Sequence, residues 1–331
     1  MSGAFTHHGG ALAEAVRHFG GSATDWLDLS TGINPSPWPG RVEADWRHLP
    51  DRGALLAMEA AAAAHFGVAP DLCCAVPGSE MALRIIGWII GRIIGGQAGQ
   101  GAYHWPSYRT HAAAFPDGMA VAEGLPEDHR ALLLANPNNP DGRVTPEASL
   151  CAWHRELAGR DGWLVVDEAF ADATPDVSVA RHVGTWSRLI VLRSFGKFFG
   201  LAGLRLGFVL GPAEVMAMLR ALLGDWPVCA GALAAGKEAY RDAAWIAQAR
   251  LDLAARAGRM DALLARAGVK ALGQCPHFRL IEDAHAHDLF TRLARARILT
   301  RPFDYDPRWL RLGIPAADQD WARLEQALSN G

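Results

Sequence analysis

Four short, uninterrupted apolar runs lie in the middle of the chain, at 131–135, 163–166, 189–192 and 206–210. The first three end in polar residues: Asn136-Pro137-Asn138-Asn139-Pro140, Asp167-Glu168 and Arg193-Ser194. Runs of this length without polar alternation predict strands covered on both faces, as in a mostly parallel sheet. Between the first two runs, 146–159 reads as a helix, with Thr145 as its cap and Pro146 in its first turn. The Ala-rich segment 53–66, closed by Gly67, reads as another. Long helices are expected over 231–268, where Ala, Arg and Leu dominate. A mixed pattern follows: a strand at 278–281, a helix at 288–296, a strand at 309–312 and a helix at 318–328. The prediction is an α/β protein with a large domain over 34–226 and a smaller α+β domain over 227–331, the boundary lying near Asp225-Trp226-Pro227. Residues 1–33 form an N-terminal arm expected to pack with the smaller domain. Ligands of open α/β sheets bind beyond the C-terminal strand ends, where three of the runs deliver polar residues.

Composition removes several alternatives. Of 331 residues, 50% are hydrophobic and 20% charged, which excludes a disordered or fibrous chain. The 32 Lys and Arg nearly balance 35 Asp and Glu, and a net charge of -3 gives no reason to expect nucleic acid or an anionic membrane as partner. Five scattered cysteines do not read as a disulfide framework, and no CxxC pair points to a metal. The opening residues carry neither the basic start nor the apolar run of a signal peptide. The most apolar stretch, 81–96, is interrupted by Arg84 and Arg92 and is shorter than the roughly 20 residues a spanning helix needs. A reduced, cytoplasmic protein is expected.

Candidate chemistry clusters after the apolar runs. Lys197 sits among glycine and aromatic residues in Ser194-Phe195-Gly196-Lys197-Phe198-Phe199-Gly200, with Arg205 eight residues on. A lysine in such company is costly unless exposed, paired or used covalently. Gly78 leads Ser79 and Glu80 into an apolar helical pattern, a turn that offers backbone N–H groups and a helix dipole to an anion. Asn139, Asp167 and Tyr108 (in Trp105-Pro106-Ser107-Tyr108) are further candidates, as is Arg311, whose planar fork matches a carboxylate. Taken singly, each has an ordinary explanation: a solvated lysine, a helix start, a turn aspartate, a core tyrosine.

In this order the segments resemble the motifs of the fold-type I aminotransferase superfamily, whose members use pyridoxal 5'-phosphate. That likeness implies the same large and small domains, with Lys197 carrying the cofactor. Ser194, Arg205 and the Gly78-Ser79-Glu80 turn would bind its phosphate, Asn139 its 3-oxygen, and Tyr108 would stack on its ring. Asp167 would pair with the pyridine nitrogen and keep it protonated, so the ring can accept electron density. Arg311 would take the substrate α-carboxylate. Phe170 stands where many relatives have Tyr, leaving the 3-oxygen to Asn139. Leu49-Pro50-Asp51 stands where aminotransferase relatives often have Tyr-Pro-Asp, so that hydroxyl is absent. A homodimer is implied by the same resemblance.

Within the superfamily, Thr6-His7-His8-Gly9-Gly10 and Asp28-Leu29-Ser30-Thr31-Gly32-Ile33-Asn34-Pro35 look like the opening of the threonine-phosphate decarboxylases of the cobalamin pathway. Gly32 departs from the Asn of some of them, whereas Asp167-Glu168-Ala169-Phe170 fits the branch. The resemblance implies decarboxylation of a phosphorylated amino acid, L-threonine O-3-phosphate, to (R)-1-amino-2-propanol O-2-phosphate. It makes Arg301 and His8 candidates for gripping the substrate phosphate, Asn34 a further substrate contact and Lys197 the proton donor. Another enzyme of the cobalamin pathway is a candidate partner. Two alternatives stand beside this reading. One is a histidinol-phosphate-type aminotransferase, which needs a keto-acid acceptor. The other is a non-catalytic ligand sensor that keeps the fold, usually with a basic helix-turn-helix extension. His285-Ala286-His287 lacks the ligands to complete a metal site. The glycine-rich segment 95–101 lacks the preceding strand of a dinucleotide loop.

Overall fold

The four apolar runs fold as strands in which every residue is buried. The computed structural model describes residues 3–95 and 100–329, so 96–99 of the glycine-rich segment lie outside the described residues. Seven strands form the large sheet: β1 (Cys73–Val76), β2 (Gly101–His104), β3 (Met119–Val121), β4 (Ala131–Ala135), β5 (Trp163–Asp167), β6 (Leu189–Ser194) and β7 (Gly207–Leu210). Their order is β1-β7-β6-β5-β4-β2-β3, parallel throughout except for β7, which runs antiparallel to β1 and β6. The apolar pattern does not predict β2 and β3. They lie at the far edge, and β3 is largely exposed, so no continuous apolar run is needed there.

Local signals set the helices. In α1 (Arg52–Phe66) the Asp51 carboxylate accepts the Ala54 N–H at 3.2 Å, and Gly67 closes the helix at φ 71. Helix α2 (Ser79–Ile93) packs Leu83, Ile86 and Ile90 against a core that includes Val76, Ile190 and Val209. The short α3 spans Thr110–Ala114. Helix α4 (Glu147–Ala158) starts later than predicted, with Pro146 rather than Thr145 at the cap. The Thr145 N–H is instead taken by Asn136 Oδ1 at 2.9 Å, which ties that residue to the preceding turn.

The chain divides into two compact units, but not at 226/227. The larger spans Pro37–Asn139 and Arg143–Gln248; the smaller takes the residues up to Ser36, Pro140–Gly142, and those from Ala249 on. Helix α5 (Ala230–Arg241) stays with the larger unit because its small residues let it press onto α1: a Cβ at Gly236 would come within 3.2 Å of Met58 Cγ. Tyr240 adds an edge contact to Phe66 at 5.3 Å, and the Trp38 indole N–H donates to Asp242 at 3.0 Å. The last passage from the larger unit to the smaller falls within α6 (Ala243–Arg266).

In the smaller unit, β8 (Ala271–Leu272), β9 (Phe278–Glu282), β10 (Arg301–Pro302) and β11 (Trp309–Gly313) form an antiparallel sheet of order β10-β11-β9-β8. Leu27–Asp28 pairs in parallel with Ile298–Leu299, and Phe5, Trp26 and Leu29 share a core with Phe290, Leu312 and Trp321. Among the described residues, no helix is long and apolar enough to cross a membrane.

Candidate active site

Strand register brings most of the predicted residues of the larger unit to one edge of its sheet. Ala135 stands opposite Asp167, and Asp167 opposite Leu192. The turn holding Asn139 therefore leaves β4 beside the end of β5. Ser194 stands opposite Gly207, and Gly207 opposite Val76. This places the start of the Lys197 turn beside the Gly78 turn. Tyr108 follows β2 and meets the His111 ring edge-on, with centroids 6.1 Å apart.

The Gly78 turn and Arg205 build an anion cradle. Gly78 has φ 91 and ψ 147, a conformation reserved for glycine, and a Cβ there would come 2.6 Å from Arg205 Nη2. Arg205 itself holds the left-handed region at φ 53 and anchors Nη1 on the Ala202 carbonyl at 3.2 Å. The first N–H groups of α2 have no partner within their own helix. With the Ser194 hydroxyl nearby in register, this donor set fits the phosphate of pyridoxal phosphate. Glu80 takes no such part with its side chain: its carboxylate accepts from Arg84 at 2.9 Å and from Thr110 at 3.5 Å. Gly78→Ala is expected to cost about 1–3 kcal/mol of stability through backbone strain and to weaken pyridoxal phosphate retention. Thermal unfolding and absorbance titration would read the two effects separately.

Asp167 is buried at the end of β5. The Ala169 N–H donates to its Oδ1 at 3.1 Å, and His111 Nε2 lies 3.2 Å from its Oδ2. Behind His111, Nδ1 is 3.2 Å from Ser107 Oγ, which lies 2.7 Å from Asn138 Oδ1. The sequence reading did not single out His111; its one signal was a fourfold spacing from Ser107. Asn136 locks the adjoining turn, its side-chain amide donating to the Thr145 and Val177 carbonyls. Lys197 is half-buried in the short helix Phe195–Phe198, with Nζ 5.8 Å from the centre of the Phe170 ring.

A second arrangement that the sequence reading missed braces this edge from within. Glu168 accepts from Ser178 Oγ at 2.5 Å, the Val179 N–H at 2.7 Å and Arg193 Nη1 at 2.6 Å. Arg193 also donates to Asp172, which takes His65 Nε2 at 3.1 Å. Burial alone would raise the Asp172 carboxyl, but Arg193 and His65 outweigh it and hold it below the usual range. Burial also pushes Glu168 up, and there its donors offset the effect only in part. Arg193 is raised: burial opposes its charge, and the two carboxylates more than restore it.

In the smaller unit, Arg301 and Arg311 stand directly opposite each other on β10 and β11, both buried. A backbone carbonyl orients each one: Ser30 for Arg311 at 2.8 Å and His7 for Arg301 at 3.1 Å. Burial and the neighbouring Arg301 charge push the Arg311 guanidinium down to about 9. The two opening motifs meet at the same place. Gly9 lies so close to the Ser30 carbonyl that a Cβ would come within 2.2 Å, and the Gly10 N–H donates to Ser30 Oγ at 2.7 Å. Asn34 is buried and accepts the Ser36 N–H at 3.0 Å, while His8 is exposed, its ring 4.3 Å from that of His7.

Residues 103–329 match the aminotransferase class I and II family. The chain is 40% identical over 333 residues to a threonine-phosphate decarboxylase of Sinorhizobium sp., covering 97% of both chains. It is 41% identical over 331 residues to one of Pseudomonas aeruginosa, covering 97% of this chain and 96% of that one. Histidinol-phosphate aminotransferase of Sinorhizobium meliloti, solved with pyridoxal-5'-phosphate, superposes with a TM-score of 0.80 at 19% identity, over 96% of this chain and 93% of that one. This chain belongs to the aminotransferase class I and II family and, within it, to the same family as the threonine-phosphate decarboxylases.

Proposed function

We propose that this protein decarboxylates L-threonine O-3-phosphate to (R)-1-amino-2-propanol O-2-phosphate in cobalamin biosynthesis, using pyridoxal 5'-phosphate. The observation that carries the choice of substrate is the Arg301–Arg311 pair. Like charges directly opposite on neighbouring strands are unfavourable, and a ligand with two anionic groups turns that cost into binding. L-threonine O-3-phosphate has a carboxylate and a phosphate, one for each arginine, and the two threonine-phosphate decarboxylases at 40% and 41% identity favour the same substrate.

Lys197, Asp167, Asn139, Tyr108, Ser194, Arg205 and the Gly78-Ser79-Glu80 turn would hold the cofactor, Glu80 through its backbone alone. The chemistry pyridoxal phosphate supplies when bound is an electron sink for the pair left as the Cα–carboxylate bond breaks. Arg311 grips the carboxylate, and Arg301, with His8 and Asn34 as further candidates, takes the phosphate. Held at both ends, the substrate presents one bond for cleavage. Lys197 Nζ delivers to Cα the proton that replaces the departing carboxylate. The family likeness also supports a cytoplasmic homodimer that passes its product to another enzyme of the pathway.

The deciding experiment supplies L-threonine O-3-phosphate to cofactor-loaded protein without any keto acid. Carbon dioxide and aminopropanol phosphate are expected. Amino transfer from histidinol phosphate, appearing only with a keto acid present, would overturn the reading. Arg301→Gln is expected to lower kcat/KM about 10–100-fold, the worth of a hydrogen bond to a charged group, with pyridoxal phosphate retention unchanged. A loss of cofactor instead would remove Arg301 from the substrate site.

A further inference from the structure

We propose that Asp242 is a positioning residue for Lys197, clamping the C-terminal end of its short helix through Trp38 and Trp245. The inference rests on the reading of Lys197 as the residue that carries the cofactor and delivers the proton.

The helix Phe195–Phe198 has four residues, too few to hold a side chain in place by itself. Its first turn is fixed from within. A Cβ at Gly196 would come 2.5 Å from Ala202 Cα, so the turn lies directly on that backbone. The far end needs other partners, because the last carbonyls of a helix have none inside it. Phe199, which closes the helix, supplies two contacts. Its carbonyl accepts the Trp38 N–H at 2.9 Å, and its ring stacks on Trp245 at 5.4 Å and 17°. The same indole meets Phe198, next to Lys197, edge-on at 5.5 Å.

One carboxyl group sets both tryptophans. Asp242 Oδ2 accepts the Trp38 indole N–H at 3.0 Å, and Oδ1 accepts the Trp245 backbone N–H at 3.0 Å. Neither bond leaves a choice of direction, since both donors are N–H groups and a carboxyl oxygen accepts. The bond to Trp245 is an ordinary cap for α6. The bond to Trp38 is called for by no helix, its partners lying 204 residues apart in the chain. Gly40 makes room for it: a Cβ there would lie 2.0 Å from Trp38 Cζ2, so the buried indole rests against bare backbone. Asp242 thus joins a local cap to a long-range tie, and the tie ends on the turn that carries Lys197. Small shifts count at such a place, because moving a reacting group by about 1 Å can cost about 10²-fold in rate.

The test uses the full chain loaded with pyridoxal phosphate. Asp242→Ser still caps α6, but its single oxygen cannot serve both tryptophans, so the tie to Trp38 is lost. Trp38→Phe removes the indole donor and keeps a ring. Each variant is expected to lower kcat for carbon dioxide release about tenfold, with KM for L-threonine O-3-phosphate unchanged. Each should also move the visible absorption band of the bound cofactor, while melting temperatures stay within a few degrees of wild type. The double variant should be no slower than either single one, because both remove the same hydrogen bond. Wild-type kcat and an unmoved band in both variants would leave Asp242 as a helix cap and overturn the inference. Losses that multiply in the double variant would overturn it too, since the two residues would then act separately. The band is read without substrate and so does not depend on which reaction the protein performs. Carbon dioxide release retained in Lys197→Ala would instead remove the reading of Lys197 on which the inference rests.

Discussion

Lys197→Ala is expected to lower the steady-state release of carbon dioxide from L-threonine O-3-phosphate by at least about 100-fold, since proton delivery by a placed side chain alone contributes about 10²–10⁴-fold. The short helix that carries the lysine separates its tasks by residue. Phe195 and Phe198 are fully buried and hold the turn to the core, whereas Lys197 is half-buried. Phe195 stacks on Phe199 at 4.5 Å, and the Phe195 N–H donates to the Leu206 carbonyl at 3.2 Å. Truncating the lysine leaves these contacts in place, so the thermal unfolding midpoint of the variant should stay near wild type. The visible absorption of the bound cofactor should change at the same time. Retained carbon dioxide release would remove Lys197 from the chemistry.

Arg193→Met should be the most damaging substitution to the fold outside the apolar core. Removing one partner of a buried ion pair costs about 3–5 kcal/mol, because the other charge is left buried and uncompensated. Here two carboxylates are stranded, Glu168 and Asp172, both with no measurable exposure. The unfolding midpoint is expected to fall on the order of 10 °C. The pH dependence gives a second reading. In the wild type Asp172 is held low, so its contribution is present above the unfolded value of about 4 and is lost as pH falls through the lower folded value. Without Arg193, burial raises both carboxyls in the folded state. Protonation then favours folding, and the variant's deficit should narrow as pH drops from neutral toward about 5. A deficit independent of pH would mean the loss comes from packing against Phe66, whose ring lies 4.8 Å from the guanidinium.

What was legible in the chain followed from burial. Strands β4 to β7 are covered on both faces, so each had to be an apolar run, and the residues just past three of them had to lie along one sheet edge. Asn139, Asp167 and Ser194 were therefore readable as neighbours along that edge, and the family resemblance joined Lys197 and Arg205 to them. His111 was not, because a histidine before Ala112-Ala113-Ala114 has no signature until the turn places it against Asp167. Arg193 and Asp172 were hidden for the same reason: partners 21 residues apart pair only through the fold. The domain boundary moved because small residues in α5 permit close packing on α1, a matter of shape rather than of hydrophobic pattern. Glu80 was read as part of an anion turn, yet its carboxylate is satisfied by Arg84, an i,i+4 neighbour on the same helix. A motif fixes where the backbone goes and leaves the side chain to its neighbours.

The two arginines facing each other across β10 and β11 also make stability a report of occupancy. Burial and the neighbouring Arg301 charge disfavour the charged Arg311 guanidinium, so a ligand that brings an anion to each arginine selects the folded chain by mass action. At a hundred times the dissociation constant, such a ligand adds about 2.7 kcal/mol. L-threonine O-3-phosphate should therefore raise the melting temperature at concentrations where L-threonine and inorganic phosphate, each able to answer one arginine, barely move it. On the proposed function, the melting temperature of this chain reports which anions its two buried arginines hold.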